Sequence, residues 1–150
     1  CSTQRNVVLL HHHVVIIESV AVLGVNGWYG NILPADPITE IQVEVLRNED
    51  IIYLKSSLEK LQKHLDVKKV IIISNSVPGE NLYFGEIPTH VKGQLPLDLT
   101  LFADTEHKVS HWVFGTHDKI VDTIINSINY VNNSKNNRNP YWAKRIELEI

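Results

Sequence analysis

Methionine is missing from the chain, and cysteine occurs once, at Cys1. A lone cysteine excludes an internal disulfide framework and fits a reducing compartment, so a cytoplasmic location is expected. Positive charge is not in surplus: 14 Lys and Arg stand against 17 Asp and Glu, for a formal net charge of -3. With no basic block either, the electrostatic footprint of a nucleic-acid binder is lacking. No apolar run is long enough to span a bilayer. The first residues lack the charged, then apolar, then small-residue succession of a secretion signal. The absent methionine and a start at Cys1 close to a strand lead us to expect the later part of a longer protein.

What is present is ordinary for a globular domain. Of 150 residues, 43% are hydrophobic and 21% charged, enough for one domain, 1–150, with a core of its own. The stretch around which the chain is organised is His111-Trp112-Val113-Phe114-Gly115-Thr116-His117-Asp118. Bulky residues run into a glycine, and the chain then turns polar. Such a pattern describes a buried strand that ends at a site, with Gly115 permitting a turn or a close approach. Thr116, His117 and Asp118 would then project from the carboxyl edge of the strand, where open α/β sheets place ligands.

From the start of the chain, Val7 to Leu10, Val14 to Ile17 and Val20 to Val25 read as strands. Glu18-Ser19 is a two-residue connection that makes the last two a hairpin. Neighbouring side chains of a strand point to opposite faces, so of His11, His12 and His13 only the first and third would share a side. A pair without a third ligand reads as a solvated strand end rather than a metal site. Asp36-Pro37 opens a helix, with Ile38, Ile41 and Val45 at helical spacing, although the β-branched content leaves a strand open. A second helix, capped by Asn48, carries Ile51, Leu54, Leu58, Leu61 and Leu65 on one stripe. Glu49 and Asp50 suit its positive end, and Lys63 and His64 its negative end.

Val70 to Ile73 is a continuous apolar run, expected as a strand buried on both faces, and a helix followed by such a strand is half of a βαβ unit. The run stops at Ser74-Asn75-Ser76-Val77-Pro78, a turn built from residues that bond their own backbone. Residues 79–97 form a long irregular segment of the kind that serves as a lid or binding loop. Ile120 to Ile125 and Ile128 to Asn132 flank Asn126-Ser127 as a second hairpin. Residues 132–139 read as a polar surface loop. Residues 140–150 close the chain as an alternating strand, with Ile146, Leu148 and Ile150 on one face.

Taken together, these motifs resemble the later half of the calcineurin-like metallophosphoesterases. In that family an aromatic-aliphatic strand ends in Gly-His-Thr-His and another in Thr-His-His-Ala-Pro, and a Gly-x-x-x-Trp stretch like Gly24 to Trp28 lies near the cleft. In this chain the corresponding positions are Gly115-Thr116-His117-Asp118 and Ser74-Asn75-Ser76-Val77-Pro78. All of the family's imidazoles in these two motifs are replaced, and the one histidine present, His117, stands where the family has threonine. The earlier family motifs, Asp-x-His, Gly-Asp and Gly-Asn-His-Glu, do not occur.

The resemblance implies an α/β (α+β) fold, a sandwich of mixed β-sheets with flanking helices, of which this chain would supply one sheet and its covering helices. It also implies hydrolysis of a phosphate mono- or diester by a metal-activated water, if upstream residues supply the remaining ligands. Asn75, His117 and Asp118 would line the metal edge, and Ser74, Ser76, Gly115 and Thr116 the substrate cleft. The cofactors implied are divalent ions, manganese, iron, zinc or magnesium. The alternative is a non-catalytic relative acting as a binding or scaffold module. The partner expected is a phosphate-ester substrate, with homo-oligomerisation through an exposed sheet face.

Overall fold

The computed structural model describes residues 7–27, 37–82, 107–115, 119–133 and 145–148. Six strands form one mixed sheet: β1 (His13–Ile17), β2 (Val20–Val25), β3 (Lys69–Ser74), β4 (Val109–Phe114), β5 (Val121–Ile125) and β6 (Ile128–Asn132). Among the described residues, one α-helix, α1 (Pro37–Lys63), lies between β2 and β3. The spatial order is β1-β2-β3-β4-β6-β5. The four inner strands are parallel, and each edge strand is antiparallel to its neighbour. The fold is therefore mixed α/β, and the β2-α1-β3 connection is the expected crossover between adjacent parallel strands.

Both hairpins form where the turn chemistry places them. Val20 pairs with Ile17 across Glu18-Ser19, and Ile128 pairs with Ile125 across Asn126-Ser127. Asn126 and Ser127 both take left-handed backbone, at φ 49° and 63°. That pair of positive angles is the turn whose twist matches the flanking strands. Glu18 is also left-handed, at φ 54°.

One face of the sheet carries the core. Ala21, Leu23 and Val25 of β2, Val70 and Ile72 of β3, Trp112 and Phe114 of β4, and Ile128 and Tyr130 of β6 are buried together with Leu54 and Leu61 of α1. Trp112 and Tyr130 are register partners, and their rings stack with centroids 6.0 Å apart. On the opposite face, Ile17, Ile73 and Ile124 stay exposed among the described residues. The apolar run Val70 to Ile73 is thus buried on one face rather than on both, because α1 packs against a single side.

Three further expectations differ from what forms. The two helices are one: α1 continues through Asn48, because no glycine or proline interrupts the sequence after Pro37. Its second half buries the expected stripe, whereas Ile41 and Val45 are exposed, and Leu65 falls beyond its end. Val7 to Leu10 form no strand. Residues 145–148 belong to no strand either, although Arg145 and Glu147 do share a side, with Nε and Oε1 3.2 Å apart. The N-cap Asp36, the stretch from Tyr83 to Leu97 and the loop beyond Asn133 lie outside the described residues.

The C-terminus of α1 is tied to the sheet by a single cation. Lys108 Nζ donates to the carbonyls of Leu61, at 3.0 Å, and His64, at 2.7 Å. Both carbonyls also accept backbone N–H groups, from His64 and Val67, so the ammonium adds a second donor to each and complements the negative end of the helix. No helix among the described residues is long and apolar enough to cross a membrane.

Candidate functional site

Because β2, β3, β4 and β6 run parallel, their carboxyl ends emerge on one rim. There the backbone pairing continues past the strands. Ser76 N donates to Asn26 O and Gly115 N to Ser74 O, both at 3.2 Å. The turns after β2, β3 and β4 are thereby held side by side. At Gly115 a Cβ would lie 3.1 Å from the carbonyl oxygen of Asn75, so the absence of a side chain is what lets the two turns approach.

Of the residues singled out in the sequence, Ser74, Asn75, Ser76 and Gly115 stand on this rim. Asn75 is exposed at the turn after β3 and abuts Gly115. Ser74 and Ser76 are buried. The Ser74 hydroxyl donates to the carbonyl of Ser76 at 2.7 Å and accepts from the indole nitrogen of Trp112 at 2.9 Å. Both hydrogen bonds engage Ser74 in shaping the turn. Thr116, His117 and Asp118 lie outside the described residues.

Beside Asn75 an open cleft of about 490 Å³ runs along the rim, with Leu10, His11, Gly24, Asn26, Ser74 and Asn75 among its walls. It exists because the segment before β1 lies directly on β2. At Gly24 a Cβ would come within 2.8 Å of Leu10 Cβ and 2.9 Å of its carbonyl oxygen. Only glycine leaves that space.

A cluster at the same end was not found by strand parity. His11 and His12, adjacent in sequence, stack with ring centroids 4.2 Å apart. His12 is left-handed at φ 48°, and His13 N bonds back to Leu10 O at 3.0 Å, so the chain is a turn here and the alternation of a strand does not apply. His12 Nε2 lies 2.6 Å from Asp50 Oδ1, and the ring also stacks on Tyr53 at 4.7 Å. Asp50 is completely buried on α1, and its other oxygen accepts from Gly27 N at 2.7 Å. One potential ligand atom from each of His11, His12 and Asp50 falls within 4.8 Å of the others. Burial raises the phenol of Tyr53 above its usual value, an effect partly offset by Ser57. The signal for Asp50 was in the sequence: it sits four residues before Leu54 and eleven before Leu61, on the stripe that α1 buries.

Comparisons with protein-family models, curated proteins and solved structures return no match.

Proposed function

We propose that the chain is metallophosphoesterase-like and that its rim takes a phosphate mono- or diester, with the remaining metal ligands supplied by residues outside this sequence. One observation carries the reading: the turns after β3 and β4, which hold the two family-like motifs, abut through Gly115 N to Ser74 O at 3.2 Å. Divalent ions bound there would supply positive charge for the phosphoryl oxygens and a water acidic enough to be a nucleophile at neutral pH. Asn75 offers a carboxamide oxygen, a donor that suits a hard cation such as magnesium or manganese better than zinc. His117 and Asp118 follow Gly115 and would complete the edge. Ser74 and Ser76 act by fixing the backbone on which Asn75 stands.

The test is hydrolysis of nitrophenyl phosphate and bis-nitrophenyl phosphate by the full-length polypeptide with manganese or magnesium. Metal-dependent turnover that falls at least about tenfold in Asn75→Ala and in His117→Ala supports the reading. Turnover indifferent to metal or to both substitutions refutes it. A second reading, a binding module that holds the ester without cleaving it, draws on a specific feature: Ser74-Asn75-Ser76 has no imidazole, and the Ser74 hydroxyl is engaged by Trp112. In that case calorimetry detects ester binding that Asn75→Ala weakens, and no product appears.

A further inference from the structure

We propose that His11, His12 and Asp50 form a binding site for a transition-metal ion of the zinc, cobalt or nickel class, separate from the rim site proposed above and not dependent on it. Two imidazoles and one carboxylate are a donor set that such ions prefer, and three protein ligands with water in the fourth position is a familiar zinc arrangement. The three ligand atoms already lie within 4.8 Å of one another. Ligands around one ion stand about 2.0–2.2 Å from it, so on the order of 4 Å is their widest separation. Rotation of the exposed His11 ring closes the remainder.

Three features go beyond chance proximity. The left-handed backbone of His12 turns two consecutive imidazoles to the same side, which an extended chain does not do. Asp50 is wholly buried and held by Gly27 N at 2.7 Å, so one carboxylate oxygen is fixed in the manner of an oriented ligand while the other faces His12. Tyr53 backs the His12 ring and limits its rotation. His11 is also a wall of the rim cleft, which gives solvent access to that side of the cluster.

Binding replaces the hydrogen bond between His12 Nε2 and Asp50 Oδ1 with two bonds to the ion. Each atom gives the ion a lone pair, and the single imidazole proton stands on Nδ1 instead of Nε2. The test is titration of zinc chloride into the full chain by calorimetry near neutral pH. Cobalt chloride followed by visible absorption is the parallel measurement. The expected result is one ion per chain and a tetrahedral cobalt spectrum.

His11→Ala removes a direct ligand and is expected to weaken binding by more than about 100-fold, the upper end of what the loss of an outer-shell partner costs. His13→Ala, just outside the cluster, is expected to leave it unchanged. Should His11→Ala fail to fold by circular dichroism, His11→Gln, which keeps a polar side chain of similar reach, takes its place. Absence of saturable one-to-one binding, equal affinity in the His11 variant, or equal weakening by the His13 variant overturns the proposal.

Discussion

The indole nitrogen of Trp112 donates to the hydroxyl of Ser74 across 2.9 Å in the buried layer between β4 and β3. That same hydroxyl donates onward to the carbonyl of Ser76. Ser74→Ala removes the middle of the chain and leaves a buried N–H without its acceptor. The expected loss is about 1–3 kcal/mol of unfolding free energy, measured by urea titration with tryptophan fluorescence. A midpoint unchanged from the parent would show that the bond contributes nothing.

Gly24→Ala places a methyl group within 2.8 Å of Leu10 Cβ and 2.9 Å of Leu10 O. Because one of these contacts is backbone, rotation of a side chain cannot relieve it. We expect about 1–3 kcal/mol of destabilisation. Zinc affinity at His11 should also fall, since Leu10 and His11 must move together. A variant as stable as the parent, with the cleft intact in its crystal structure, would contradict the close approach described at β2.

Lys108→Met keeps the length of the side chain and removes the donor to Leu61 O and His64 O. The expected cost is about 1 kcal/mol, lessened in high salt because part of it is the interaction of the ammonium with the helix end. Thermal melts at low and high ionic strength provide the check, and equal losses in both would leave hydrogen bonding as the only contribution.

Burial of Tyr130 pushes its phenol well above the ordinary tyrosine value. The folded state thus favours the neutral phenol, while in the unfolded chain it ionises near about pH 10. Stability from this difference is complete below about pH 10 and declines as pH rises beyond it, through the higher folded value. Tyr130→Phe has no phenol to ionise and is expected to flatten the alkaline limb of a stability-against-pH curve. An identical limb in both proteins would place the alkaline loss elsewhere.

Local patterns carried much of the architecture. The hairpins around Glu18-Ser19 and Asn126-Ser127, the helix stripe through Leu54 and Leu61, and the strands ending at Ser74 and Phe114 were all legible, because each depends on neighbours in sequence. The continuity of α1 was not. Asn48-Glu49-Asp50 looks like a helix start, and only the absence of a breaker nearby decides otherwise. Burial of Val70 to Ile73 on one face alone depends on how many layers cover the sheet, which a strand's own residues do not encode. The His11, His12 and Asp50 cluster escaped because a single left-handed residue, His12, cancels the parity rule. Asp50 on an otherwise apolar stripe was the available clue, and a buried carboxylate of that kind calls for a partner.

The two tight hairpin turns both sit at the end of the sheet away from the clefted rim. At these two positions the floor of the sheet is closed with the shortest links a strand pair allows. The exposed Asn126-Ser127 corner offers a splice point for an affinity peptide or a fluorophore. A reporter grafted there would stand clear of the rim and its cleft.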